Sequence, residues 1–159
     1  REALPECRPV ARRFEIVAER DGLVVVDDYA HHPTEVAAAL ATARAVHPGR
    51  VVAIFQPHLY SRTRFLAAEF GLALAAADRV VLVDIYPARE EPIPGVDSSL
   101  VKTEVEKHNT QVEGPLPKRA VAQRVAELAA PGDLLLFLGA GDVGRCAYEL
   151  VAGLQNSRS

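Results

Sequence analysis

The sequence predicts an α/β fold of three layers, in which a mostly parallel sheet lies between helices and carries one antiparallel strand at its edge. Short apolar runs alternate with longer segments of helical period, which is the pattern of strand–helix–strand units. The runs are apolar throughout, as expected for strands that are buried on both faces. The first run follows an alternating segment and the turn signal Asp21-Gly22, which together predict a hairpin whose first arm is the edge strand.

The elements follow in order from the apolar period and from the start and stop signals of helices. Pro33 is typical of a first helical position, and His47-Pro48-Gly49 ends that helix. After the hairpin of residues 14–27, buried strands are predicted at residues 51–55, 79–85 and 134–138, with a short strand at 111–113. Helices are predicted at residues 33–46, from the QPHLYSRTR segment to about 77, from the caps at 97–99 to about 108, from 117 to about 128, and from the GAGDVG turn to about 154. Residues 86–97 are left as a long, proline-rich loop of the kind that often serves as a lid.

The composition is that of a soluble domain with a single core. The chain has 159 residues, of which 49% are hydrophobic, and its net charge of −3 is too small to favour nucleic acid or a membrane surface as a partner. It has no apolar run long enough to span a membrane and no signal peptide, so we expect a cytoplasmic protein. Cys7 and Cys146 are far apart and resemble no metal or redox motif, which predicts two unpaired thiols.

We divide the chain into three parts. Residues 1–11 contain two prolines and no period, and are interpreted as an entry segment or linker. Residues 12–154 are predicted to form one α/β domain, and residues 155–159 a disordered tail. Because the chain starts at Arg1 and contains no Met, we expect an excised domain or a processed chain.

Chemistry-bearing side chains directly follow the first buried strand. The motif VVVDDYAHHPTEV places Asp27 and Asp28 at the strand end and His31 and His32 just before a helix. Ligands of open α/β sheets bind at the carboxyl ends of strands, where a carboxylate can accept hydrogen bonds from the vicinal hydroxyls of a ribose. The helix N-terminus favours an anion, and adjacent side chains point in different directions, so at most one of the two histidines should face a site.

The second buried strand leads into a similar arrangement, FQPHLYSRTR, at residues 55–64. Gln56, His58 and Tyr60 lie at the turn, and Arg62 is predicted in the first helical turn. A cation at a helix N-terminus is electrostatically unfavourable, and a bound anion would offset it. Arg64 points to another side of the helix and is interpreted as a surface charge.

Two further patterns bear on nucleotide binding. GAGDVG, residues 139–144, fits the G-x-G-x-x-G spacing, but only 15 residues follow Gly144, too few for a second strand with a ribose-binding acid. A tight, closely packed strand-to-helix turn is therefore the favoured interpretation. The chain has no G-x-x-x-x-G-K-[ST] segment, and its three lysines all lie within residues 102–118, so any ATP phosphates are not held by a P-loop of this chain.

Taken together, four segments resemble the C-terminal domain of the Mur ligases, from about Arg12 to Leu150. They are DDYAHHPTEV, FQPHLYSRTR, LVDIYPAREEPIPGVDS and GDLLLFLGAGDVG. The resemblance is closest to the ligases that add L-alanine to UDP-N-acetylmuramate in peptidoglycan synthesis through an acyl phosphate. It implies a dinucleotide-fold-like domain that closes on the N-terminal and central domains of the same ligase, with ATP and magnesium as cofactors. UDP-N-acetylmuramate, L-alanine and ATP are then the partners, and this chain alone should be inactive.

The resemblance also implies roles for individual residues. Asp28 matches the position that hydrogen-bonds the ATP ribose, and His31 matches the catalytic histidine near the substrate and phosphates. His58 and Arg62 match positions of the amino-acid site, with Arg62 as partner of the alanine carboxylate and Tyr29 beside them. No metal ligand is implied in this chain, because the magnesium ligands belong to the central domain.

The resemblance assigns no definite role to two neighbouring positions. Tyr60 is a weaker candidate for the amino-acid site, and Leu59 replaces an arginine of many relatives, so no role is carried over to it.

The alternatives are another Mur-type ligase, such as one that reattaches recycled peptides, and a free-standing nucleotide-binding module that uses GAGDVG. A third is a metal-dependent hydrolase, whose ligands would come from Asp27, Asp28, His31, His32 and His58.

Overall fold

The computed structural model describes residues 12–156, which form a six-stranded sheet with five helices. The strands are β1 (Glu15–Arg20), β2 (Leu23–Asp28), β3 (Val51–Phe55), β4 (Arg79–Val83), β5 (Gln111–Leu116) and β6 (Leu134–Leu138). The helices are α1 (Pro33–Val46), α2 (Tyr60–Leu74), α3 (Ser99–Glu106), α4 (Lys118–Leu128) and α5 (Val143–Asn156). The segment 1–11 interpreted as a linker and residues 157–159 of the predicted tail lie outside the described residues.

The strand order is β1-β2-β6-β3-β4-β5, and among these described strands β1 and β2 form the antiparallel pair while the other neighbours are parallel. The predicted hairpin is confirmed, since Asp21 and Gly22 both have positive φ, at 53° and 78°, as a tight two-residue turn requires. The last strand, β6, inserts between β2 and β3. The carboxyl ends of these three parallel strands therefore lie side by side.

Helices cover both faces of the sheet, which confirms the three-layer prediction. On one face α1, α2 and α3 bury Leu40, Phe70 and Val105 against side chains such as that of Phe55 in β3. On the other face α4 and α5 pack against alternate residues of the same strands. Because β3 and β6 are covered on both sides, all their residues are buried, as their apolar runs predict.

Several element boundaries differ from the prediction. Strand β4 ends at Val83 rather than at residue 85, and α3 ends at Glu106 rather than at about residue 108. Strand β5 continues to Leu116, three residues beyond the prediction, because Gly114-Pro115 interrupts the strand pattern in sequence without ending the pairing of β5 with β4. Helix α2 ends at Leu74, earlier than residue 77. Helix α5 continues to Asn156 and so includes the first two residues of the predicted tail, since Leu154 still packs on the core. Within residues 12–156, no helix is long and apolar enough to cross a membrane.

Candidate functional site

The two aspartates at the end of β2 lie on opposite faces of the sheet, because successive side chains of a strand alternate. Asp27 points toward α5 and is 1% exposed. Its carboxylate accepts hydrogen bonds from the Nε and Nη2 atoms of Arg12, at 2.8 and 3.3 Å. Arg12 also donates to the carbonyls of Gly139 and Gly141, at 2.9 and 3.0 Å. Asp27 therefore holds the start of the domain against the glycine turn, which is a structural role.

Asp28 points toward α1 and is partly exposed. Its Oδ2 accepts the N–H of Phe14 and its Oδ1 that of Ala30, both at 2.8 Å. Each oxygen keeps a further lone pair, so the carboxylate still has acceptor capacity. Asp28 and Tyr29 line a pocket of about 250 Å³ that continues along α1 as far as Thr42.

The histidine pair divides into one helix cap and one residue of the cluster. His32 is the N-cap of α1, and its Nδ1 accepts the N–H of Thr34 at 3.3 Å. Glu35 completes a capping box by accepting the N–H groups of both histidines at 3.0 Å. Burial acts to raise the pKa of Glu35, but these hydrogen bonds and the histidine charges outweigh it, so the pKa lies below its usual value.

The ring of His31 extends toward His58 at the end of β3, while its Nδ1 lies 3.3 Å from the Oε2 of Glu35. Its Nδ1 lies 3.0 Å from the carbonyl oxygen of Tyr29, and because a carbonyl only accepts, Nδ1 is the donor. In the neutral ring Nε2 is then unprotonated and available as an acceptor. The His31 ring contacts that of Tyr29 edge-on, at 5.2 Å between centroids, and that of His58 at 5.9 Å. The two sequence motifs therefore meet at this histidine pair.

His58 and Arg62 form the second half of the cluster. The Nη1 of Arg62 lies 3.2 Å from the Nδ1 of His58, and since a guanidinium only donates, Nδ1 is the acceptor. Burial lowers the pKa of His58 from its usual value, and the charges of Arg62 and His31 lower it further against the opposing charge of Glu90, which favours the neutral imidazole. On its other side His58 stacks on Tyr86, with the ring centroids 5.6 Å apart.

Helix α2 begins without a side-chain cap of its own. Its N-cap is Leu59, which has a φ of 71° and whose side chain makes no hydrogen bond there. Glu90, from the loop after β4, accepts the N–H of Ser61 at 3.0 Å and also the Ser61 hydroxyl. These bonds, with a smaller contribution from the charge of Arg62, lower the pKa of Glu90. The sequence predicts an anion near Arg62 at the start of α2. The Glu90 carboxylate supplies part of that negative charge.

GAGDVG is a closely packed turn, as predicted. Gly139 has a φ of 156°, and a Cβ at Gly141 would lie 2.5 Å from the Tyr86 ring. The first N–H of α5, that of Val143, is taken by the side-chain oxygen of Gln56 at 3.1 Å, while the Gln56 amide donates to Asp142 at 3.0 Å. Gln56 therefore braces this turn from β3.

The predicted site residues form one connected series along the sheet edge. Tyr29 borders the Asp28 pocket and contacts His31, which contacts His58, which accepts from Arg62. Three contributors were missed in the sequence, namely Arg12, Tyr86 and Glu90. Arg12 carries no local signal. The long loop after β4 was predicted as functional, but the pairing of Glu90 with α2 depends on tertiary packing.

The five residues of the metal-hydrolase alternative do not form one cluster, although the rings of His31 and His58 are in contact. Asp27 is paired with Arg12, and His32 caps α1. In the described part of the chain, no three residues among His, Cys, Asp and Glu are grouped so that they could hold a metal ion. Cys146 is free and buried, and burial raises its pKa to about 11.

The fold and this cluster define an α/β domain whose candidate site lies at the carboxyl ends of adjacent parallel strands. Residues 12–141 match the family model described as Mur ligase, glutamate ligase domain, and the chain belongs to this family. It is similar to the UDP-N-acetylmuramate–L-alanine ligase of Pelotomaculum thermopropionicum, with 44% identity over 98% of this chain and 34% of the relative. The ligase of the same name from Cutibacterium acnes is 52% identical over 91% of this chain and 31% of that protein. The chain thus spans about a third of the length of these curated relatives.

Two solved ligase structures share this fold. The crystal structure of the UDP-N-acetylmuramate-alanine ligase MurC from Thermotoga maritima superposes with a TM-score of 0.72 at 26% identity, covering 92% of this chain and 30% of that one. A murein peptide ligase from Psychrobacter arcticus has a TM-score of 0.73 at 18% identity, covering 92% and 30%, and shares the fold.

Proposed function

We propose that this chain is the C-terminal domain of an ATP-dependent ligase that joins L-alanine to UDP-N-acetylmuramate in peptidoglycan synthesis. The observation that carries the proposal is the contact series from Tyr29 through His31 and His58 to Arg62, which unites two sequence motifs in one polar cluster. The names of the curated relatives, at 44% and 52% identity, support the choice of L-alanine as the amino acid.

Arg62 is the residue that we assign to the carboxylate of L-alanine. One of its N–H groups is directed to His58, and the guanidinium has others with which to bind a carboxylate in bidentate geometry. Alanine offers only a methyl side chain, so its charged ends must supply most of the orientation for attack. A neutral His58 supports this role, because it fixes Arg62 without adding a second positive charge.

His31 is assigned to the amino group. L-Alanine is bound as an ammonium ion and must lose a proton before its nitrogen can attack the activated carboxyl carbon. With Nδ1 held as a donor to the Tyr29 carbonyl, Nε2 of neutral His31 has the lone pair that can accept this proton. Tyr29 and His58 flank the ring and limit its rotation.

Asp28 is assigned to the ribose of ATP. ATP supplies the phosphoryl group that activates the muramate carboxylate. The residues fit this ligand, since the carboxylate has unused lone pairs and borders a pocket of about 250 Å³. Magnesium ligands are assigned to the central domain of the same ligase, which with the N-terminal domain is the physical partner of this chain. Because UDP-sugars and ATP are substrates, we place the enzyme in the cytoplasm.

An amino-acid selectivity assay tests the proposal. The full-length enzyme is supplied with ATP, magnesium and UDP-N-acetylmuramate, and amide formation is measured with L-alanine, other amino acids and a recycled-type peptide. We expect L-alanine to have the highest kcat/KM. A preference for the peptide would instead support the alternative of a recycled-peptide ligase, and amide formation that needs no ATP would exclude both.

A further inference from the structure

The loop between β4 and α3 is attached to the start of α2 at several points. The N–H of Leu59 donates to the carbonyl of Tyr86 at 2.9 Å, and the N–H of Tyr86 donates to that of Pro57 at 2.8 Å. A turn closed by the Glu90 N–H and the Pro87 carbonyl, at 2.9 Å, then brings Glu90 back toward the helix. The loop therefore follows the backbone that leads into α2 and ends on its first turn.

The first turn of α2 needs an acceptor from elsewhere. Helix N-termini leave backbone N–H groups unpaired, and the N-cap position usually carries Ser, Thr, Asp or Asn to satisfy them. Leu59 has no such atom, and Glu90 supplies it by accepting from both the backbone and the hydroxyl of Ser61. A negative charge at this end of the helix is also favoured by the helix dipole.

Glu90 also acts on the charge of Arg62, although more weakly than it acts on Ser61. Arg62 is the third residue of α2, next to Ser61, and its Nη1 donates to the Nδ1 of His58 at 3.2 Å. With Glu90 in place, the first turn that carries Arg62 is capped through Ser61. Without it, both the direction of the first turn and that of the Arg62 side chain lose a constraint.

We propose that Glu90 is a positioning residue of the amino-acid site, which acts by capping α2 through Ser61 and by holding Arg62 in the direction that binds the substrate carboxylate. This inference rests on the proposed function, because it takes Arg62 as the carboxylate-binding residue. The inference means that the loop after β4 fixes the first turn of α2, the helix that carries Arg62.

Steady-state kinetics of the full-length enzyme test this role. We expect Glu90→Ala to raise KM for L-alanine by about tenfold, the effect of losing one charge-assisted contact, while KM for ATP and for UDP-N-acetylmuramate changes less than about twofold. Glu90→Gln keeps an oxygen that can accept from Ser61 and should recover part of the affinity. Glu91→Ala, at the exposed neighbouring acid of the same loop, is the matched control and should behave as the wild type.

A double-mutant comparison separates positioning from general support of the fold. If Glu90 acts through Arg62, adding Glu90→Ala to an Arg62→Lys enzyme should change KM for L-alanine by less than about twofold. Full additivity of the two changes, an unchanged KM for L-alanine in Glu90→Ala, or an equal rise of all three KM values would overturn the inference. In each of these cases ligation of L-alanine by the wild type would leave the proposed function standing, whereas a different amino donor would contradict that function alone.

Discussion

Asp27 and Asp28 are neighbours in β2, yet their carboxylates have unrelated surroundings. Asp27 is buried against a guanidinium, and Asp28 accepts two backbone N–H groups at the rim of a pocket. The same separation holds for His31 and His32, one in the ring cluster and the other capping α1. In both pairs the local backbone, extended in one case and turning into a helix in the other, decides which side chain can reach a ligand.

At the scale of the residue, the sequence could predict that adjacent side chains face different surroundings. It could not predict which residues they would bond to. Alternation along a strand already implies that two adjacent acids face opposite sides. That Arg12 would neutralise Asp27 could not be predicted, because the two are 15 residues apart and meet only through the hairpin and the glycine turn. The assignment of the ribose role to Asp28 remains a prediction.

Asp28→Asn in the full-length enzyme tests that assignment. We expect KM for ATP to rise about tenfold or more, because a hydrogen bond to a charged acceptor contributes roughly 1.5–3 kcal/mol. The wild type should bind ATP more tightly than 2′-deoxy-ATP, and the variant should distinguish them less. The measurement is the ratio of the two KM values in each enzyme, and a ratio unchanged by the substitution would remove Asp28 from the ribose site.

At the scale of the element, strand and helix positions were largely predictable, whereas contacts between elements were not. Helix α1 was predicted with its observed bounds, because proline at its start and His47-Pro48-Gly49 at its end are local signals. The capping of α2 has no comparable signal, since Leu59 is a poor cap and Glu90 is distant in sequence. Strand β5 was predicted too short because its pairing with β4 continues past Gly114-Pro115.

Asp78 joins β3 to α1, and its pKa predicts how the stability of the fold depends on pH. Its Oδ2 accepts the N–H of Val51, at the start of β3, at 2.7 Å and pairs with Arg44, in the last turn of α1, at 2.8 Å. The hydrogen bond from Arg44 is the main cause that lowers the pKa of Asp78. A carboxylate whose folded pKa lies below its unfolded value of about 3.9 stabilises the fold above that pH. This contribution is lost as the pH falls through the folded pKa.

Unfolding of the 159-residue chain and its Asp78→Asn variant, measured from pH 7 to pH 2, checks this. We expect the variant to be less stable at pH 7 and the difference in free energy of unfolding to shrink as the pH drops below about 4. Glu69→Gln, on the exposed side of α2, is a control at which little change is expected. A difference that stays constant over the whole range would contradict the ionic role of Asp78.

At the scale of the whole molecule, the site exists because β6 inserts between β2 and β3. This arrangement places the ends of β2 and β3 on either side of the glycine turn, whose Gly139 N–H donates to the Asp28 carbonyl at 3.1 Å. The sequence predicted that both motifs lie at strand ends, and hence at one edge. The strand order itself depends on the long-range pairing of the last strand and carries no local signal.

The polar cluster is not accompanied by a P-loop in this sequence, and this predicts how the isolated 159-residue chain behaves. Its polar side chains line one edge of the sheet, the sequence holds no P-loop, and Lys118 is paired with Asp142 at 2.9 Å rather than directed to that cluster. Because both sheet faces are covered by helices that bury continuous apolar clusters, we expect the 159-residue chain to unfold cooperatively on heating. It should neither hydrolyse ATP nor form the amide, whereas the full-length enzyme in the same buffer should do so. Calorimetry and a phosphate-release assay measure the two properties, and ATP hydrolysis by the isolated chain would show that its own residues hold the phosphates.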